Sequence, residues 1–310
     1  MNLASLTASD LQPLRLLAFK AWQQADPKAK CEAALRLASP IARLSRVEAD
    51  PGRVEFDPRA SELDDVLAGI DCPLMDLDDA LSDPPLRPGR PALPVLVHPR
   101  EVADRGVGSE AGRAALLHAI AHIEFNAIDL ALDAIWRFAD MPESWVRDWA
   151  RVAVDEARHF SLLQAELERR GYRYGDFPAH DGLWEMALRT RHDVLLRVAL
   201  VPRLLEARGL DVTPRIIERL RGVGDRRAIG ILELILREEV VHVAIGNDWF
   251  HRLCHDRGLD PVADWDALAA ANAVAPPAPP FNRAARLQAG FVEPELQRWE
   301  ARARRHAGPG

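Results

Sequence analysis

This chain predicts an all-α protein built around a four-helix bundle, and three observations carry that expectation. Long stretches of helical apolar periodicity run from Ser109 to about Gly258. Proline and glycine punctuate them at Met141-Pro142, Gly171, Gly209 and Gly258. Inside them lie two copies of Glu-x-x-His, Glu156–His159 and Glu239–His242. Each follows a lone glutamate at nearly the same interval: Glu124 precedes Glu156 by 32 residues, and Glu206 precedes Glu239 by 33.

The elements follow in order. Residues 1–45 read as two or three short helices, with stretches from Ser9 to Gln24 and from Lys28 to Leu44. Residues 46–106 are rich in proline, glycine and aspartate and predict an extended wrapper with a short helix around Ala60–Ile70. Ser109 is the N-cap of helix one, which runs to about Phe138. Helix two starts near Pro142 and ends at Arg170-Gly171.

The loop from Gly171 to Gly182 leads into helix three, from about Leu183 to Arg208, with Gly209 as its stop. Pro202 lies inside that helix and predicts a kink or bulge one turn before Glu206. Thr213-Pro214 caps a short helix to about Arg221. Helix four runs from near Asp225 to about Asp256 and closes at Gly258. A short helix near Ala263–Ala271 and a terminal helical arm complete the chain. The predicted organisation is therefore a wrapper over 1–106, a bundle over 107–258 and a carboxy-terminal arm over 259–310.

Bulk composition narrows the function. The 310 residues are 48% hydrophobic, enough for a sizeable core, and the net charge of −7 gives no general attraction to nucleic acid. No run of about 18 or more apolar residues marks a membrane span, and the first ten residues lack the pattern of a secretory signal. Cys31, Cys72 and Cys254 are too few and too scattered for a disulfide framework, and point to a reducing cytoplasm. A cluster of arginines between Arg203 and Arg227 reads as a solvated helical surface.

Glu156 and His159 are three residues apart and share a helix face, as do Glu239 and His242. Apart from the motif histidines themselves, the residues three, four and seven positions from Glu124, Glu156 and Glu239 are apolar or glycine, so these glutamates fall in apolar stripes. An ionised carboxylate buried alone costs several kcal/mol, and several converging carboxylates repel one another. Two divalent cations would neutralise four of them. Glu124, Glu156, His159, Glu206, Glu239 and His242 therefore form the predicted ligand set of a two-metal site in a four-helix bundle. Glu206 has Arg203 one turn away, so a simple salt bridge between them is the competing reading.

A metal-bound imidazole usually donates its other N–H to a carboxylate. Asp155 and Glu238 are expected to serve this way crosswise, each holding the histidine of the opposite half, with Arg158 and Arg203 nearby. His118 and His122 share a face directed away from Glu124, toward Asn126, Asp129 and Asp133. That face predicts a surface or supporting position. Tyr172 and Tyr174 are the two tyrosines, both in the loop between the halves.

The ligand pattern resembles the ferritin-like di-iron superfamily. The segments LLHAIAHIEFNAIDLALDA, VAVDEARHFSLL, YGDFPAHDGLWEMA, ALVPRLLEARGLDVTP and EEVVHVAIGNDWF resemble, more narrowly, a bacterial ferritin-like family known as domain of unknown function 455. The likeness covers most of residues 85–258 and extends to PFNRAARLQAGF near residue 281. It implies a ferritin-like four-helix bundle and a dinuclear site on the same six residues, and it supplies no reaction.

The metals expected are two divalent ions, Fe–Fe, Mn–Fe or Mn–Mn. The leading expectation is an oxidoreductase of hydroxylase or oxygenase type that uses O₂ or peroxide on an unknown organic substrate. The alternative is a protein that sequesters metal or removes peroxide without an organic substrate. Neither a membrane nor a nucleic acid is expected as a partner, and the chain is expected as a monomer or small homo-oligomer.

Overall fold

The computed structural model describes residues 8–39, 77–103 and 105–306, and every regular element among them is a helix. The all-α expectation holds. A lone parallel bridge between Leu96 and Ala179 is isolated from any strand. The expected helix around Ala60–Ile70 lies outside the described residues. Two compact units divide the chain, residues 1–181 and 182–310.

The first unit contains α1 (Ala8–Gln23), α2 (Pro27–Leu35), α3 (Leu77–Ser82), α4 (Glu110–Arg137) and α5 (Glu143–Arg169). Ser109 Oγ accepts a hydrogen bond from Gly112 N at 3.1 Å, which satisfies an amide that the first turn leaves without a partner. Beyond the end of α5, Gly171 adopts φ +81°, the left-handed turn that favours glycine. Helices α4 and α5 pack along their length, and α1 and α2 close over them. Leu117, Phe125 and Ile128 of α4, Trp149, Phe160 and Leu163 of α5, and Phe19 and Trp22 of α1 are all buried in the core, and the Phe125 and Phe160 rings meet at 5.2 Å. Burying each such side chain contributes roughly 1.5–3 kcal/mol. By length and composition α4 passes for a membrane span, yet 72% of its most apolar window is buried inside the protein.

The second unit contains α6 (Gly182–Arg189), α7 (Val194–Leu200), a widened π turn over Val201–Glu206, α8 (Ala207–Gly222) and α9 (Arg226–Asp256). Helices α10 (Trp265–Ala271), α11 (Arg283–Gln288) and α12 (Glu293–His306) form the carboxy-terminal arm. Asp225 Oδ1 accepts from Ala228 N at 3.3 Å at the start of α9, and Gly258 takes φ +67° past its end. The bulge expected from Pro202 is present as the π turn.

Two expectations about helix three need correction. The continuous helix from Leu183 to Arg208 is broken after Arg189. Asp193 then caps α7, accepting from Leu195 N at 2.8 Å. The stop expected at Gly209 does not occur either, and α8 runs through both Gly209 and Pro214. A proline in a helix deprives the carbonyl four residues earlier of its donor. Here that carbonyl is Leu210 O, and Asn282 Nδ2 donates to it at 3.2 Å. A side chain remote in sequence thus supplies the bond that Pro214 cannot make.

Candidate metal centre

In the first unit, Glu124 projects from α4, and Glu156 and His159 from α5. His159 Nδ1 lies 3.1 Å from Glu124 Oε2 and 3.4 Å from Glu156 Oε2. One ligand atom from each of the three lies within 4.8 Å of those of the others, a group able to hold a metal ion. Glu124 is 4% exposed, Glu156 1% and His159 0%, so water screens almost none of the repulsion between the carboxylates.

Burial, and then the neighbouring Glu156 carboxylate, push the Glu124 pKa up to about 8. Burial opposes charge on His159, but its hydrogen bonds to Glu124 and Glu156 prevail and raise its pKa to about 11. Without metal, protons must do the neutralising. A cation that takes two carboxylates and an imidazole does it better, and this mixed oxygen and nitrogen donor set suits a divalent ion. The residues present fit a metal ion.

The second unit repeats the motif on α9, where His242 Nδ1 lies 3.4 Å from Glu239 Oε1. The His242 side chain is 0% exposed and that of Glu239 15%. Glu206 is the last residue of the π turn and is half-buried, as is Glu238. This half of the ligand set has more access to solvent than Glu124, Glu156 and His159.

The flanking residues divide. Asp155 accepts from Arg158 at 3.0 Å on the same helix, with Arg151 4.0 Å away on its other side. Arg203 is buried against Glu295, with Nη2 to Oε1 at 2.5 Å, so its charge is compensated by the carboxy-terminal arm.

Beside the cluster lies a buried polar layer, which overturns the surface alternative for His118 and His122 and leaves the supporting one. His118 and His122, expected at the surface or in support, are 0% and 5% exposed. The side of α4 they share with Asn126, Asp129 and Asp133 is buried, because the 171–182 loop and the amino-terminal segments cover it. His122 Nε2 lies 3.1 Å from the His180 carbonyl and Nδ1 lies 2.8 Å from the Tyr174 hydroxyl. A carbonyl only accepts, so Nε2 donates to it and the neutral ring accepts the Tyr174 O–H at Nδ1. Burial lowers the His122 pKa to about 3, consistent with that neutral form.

The Tyr174 ring packs on Phe125 and Phe160, at centroid distances of 5.4 and 5.0 Å. Those residues directly follow Glu124 and His159. Further along α4, Lys30 Nζ donates to the Trp22 carbonyl at 2.9 Å, the Gly89 carbonyl at 3.0 Å, and Asp129. Arg90 reaches the other Asp129 oxygen at 2.9 Å and Asn126 Oδ1 at 2.8 Å. The signal available in the sequence was four polar residues, His122, Asn126, Asp129 and Asp133, at helical spacing. The cationic partner of Asp129, Lys30, lies 99 residues away, beyond the reach of any local pattern.

These features define an all-α protein with a buried carboxylate–imidazole cluster suited to a metal ion. The chain belongs to the family described as protein of unknown function DUF455, which matches residues 23–297. It is similar to an uncharacterized protein of Haemophilus influenzae, 49% identical over 213 residues that cover 66% of this chain and 74% of the relative. No solved structure matches the chain.

Proposed function

We propose that this protein is a dinuclear metal carboxylate oxidoreductase of ferritin-like type, using O₂ or peroxide on an organic substrate. The observation that carries the reading is the pair of buried carboxylates, Glu124 and Glu156, set against a single imidazole, His159. On this reading Glu239 joins those three residues around metal. Glu206 and His242 complete a second position, so that four carboxylates meet two divalent ions.

Iron or manganese, if held there, would supply the electrons that activate the oxidant. The protein's own residues set the conditions. Glu124, Glu156 and His159 exclude water from one side of the centre. The free thiols of Cys31 and Cys254, both buried, support a cytoplasmic setting.

Elemental analysis of protein purified with and without air tests the proposal. About two metal ions per chain are expected, and at most one after Glu156→Ala. Equal metal content in the two proteins overturns the ligand assignment. Oxygen uptake that depends on an added metabolite supports the oxidoreductase. Decay of peroxide without any organic co-substrate favours a detoxifying role instead.

A further inference from the structure

We infer that the carboxy-terminal arm is a latch that aims Glu206, with the buried Arg203–Glu295 pair as its bolt. The inference rests on the reading of Glu206 as a metal ligand and assigns Arg203 and Glu295 as its positioning residues.

The direction of Glu206 depends on an irregular turn. A π turn inserts one extra residue into the helical ladder, which rotates everything after it by about 100°. Glu206 is the last residue of that turn, so if Val201–Glu206 relaxed to a regular helix the carboxylate would face elsewhere. Pro202 opens the turn by withholding an N–H, but a missing bond does not by itself choose one wide geometry. Contacts must hold it.

Three sets of contacts do so. On α9, Gly246 lets Pro202 approach so closely that a Cβ there would lie 2.5 Å from the proline Cβ. Gly246 is four residues after His242, on the same helix face, so this approach sets the turn against the ligand-bearing side of α9. Second, the Arg203 guanidinium is 0% exposed and sits 4.6 Å from the Phe250 ring, 5.0 Å from Phe291 and 5.8 Å from both Trp265 and Trp299. Its counter-ion, Glu295 of α12, is also 0% exposed. Third, the residues after Glu206 are held by α11. Arg286 grips Asp211 at 2.7 Å and reaches the Ala207 carbonyl at 3.4 Å. The ligand therefore lies between two clamps, both supplied by residues 283–299.

An ion pair this dry is a poor source of stability, because desolvating both charges cancels most of their attraction. What it provides is register. In the observed geometry Arg203 meets Glu295 inside the aromatic box, and any rotation of the turn would strand one buried charge from the other. The pair thus selects the single wide turn that presents Glu206.

Titration of the metal-free full-length protein with Co²⁺ alone, followed by calorimetry and visible absorption, tests this. The paired variant Arg203→Met/Glu295→Leu removes both charges and leaves an apolar box, a replacement that buried pairs often tolerate. The expected result is a folded protein, by circular dichroism, whose tighter Co²⁺ site is within twofold of wild type. Its second site is weakened at least tenfold, the same step that Glu206→Gln weakens. A folded paired variant that binds two ions as tightly as wild type overturns the latch while leaving the metal reading intact. Wild-type protein that binds no Co²⁺ overturns the metal reading and the latch with it. If the paired variant does not fold, Glu295→Gln keeps the shape and carries the same test. A weakened second site is expected, and an unchanged one overturns the inference.

Discussion

Lys30→Met should destabilise the first unit far more than a typical surface change, and the size of the loss can be worked from its contacts. The ammonium is fully buried and donates to Asp129 and to the carbonyls of Trp22 and Gly89. Burial lowers the Lys30 pKa to about 8 and raises that of Asp129, so each depends on the other to stay charged, while the Arg90 guanidinium favours the Asp129 carboxylate and opposes the Lys30 charge.

Methionine preserves the length of the stem and removes the charge and all three donated bonds. Asp129 is left with Arg90, the Gly89 carbonyl loses the Lys30 donor, and the Trp22 carbonyl keeps the Gly89 N–H at 3.1 Å. Breaking a buried pair by removing one partner costs about 3–5 kcal/mol. With a urea dependence of about 2 kcal/mol per molar, the midpoint should fall by about 2 M. Urea unfolding at neutral pH, followed by tryptophan fluorescence, measures it. A fall of less than about 0.3 M would show that Asp129 and the carbonyls find other partners, and would refute the account of this network.

Tyr174→Phe should cost about 1–2 kcal/mol of stability, since it leaves His122 Nδ1 buried without its donor, and urea unfolding again measures the loss. No change would mean that the loop is held by packing alone. Removing metal with a chelator should lower the melting temperature of native protein, because an ion at 100 times its Kd adds about 2.7 kcal/mol. Calorimetry should find that this response is lost in Glu156→Ala.

Parts of the fold were legible residue by residue. Ser109 and Asp225 as caps, and Gly171 and Gly258 past the helix ends, are local chemistry confined to a single turn. The structure places α4, α5 and α9 within a few residues of those expected from such signals. The start of α7 was also written locally, in the cap Asp193, but the apolar periodicity on both sides concealed it. Pro214 shows the opposite limit. Read alone it starts a new helix, and only Asn282, folded back from the arm, lets α8 pass through it. Family membership was likewise legible, from long motifs that need no coordinates.

The linear order of residues settled which side chains share a helix face, because a turn of about 3.6 residues is a property of the backbone alone. That is why Glu156 and His159, or Glu239 and His242, pair on spacing alone. Spacing could not settle what covers each face. The side of α4 bearing His122 and Asp129 carries polar residues and reads as wet, yet Tyr174, Arg90 and Lys30 arrive from separate segments to satisfy and bury it. A polar group becomes a core group only when its partners come within hydrogen-bonding distance, and only the folded chain brings such distant partners together.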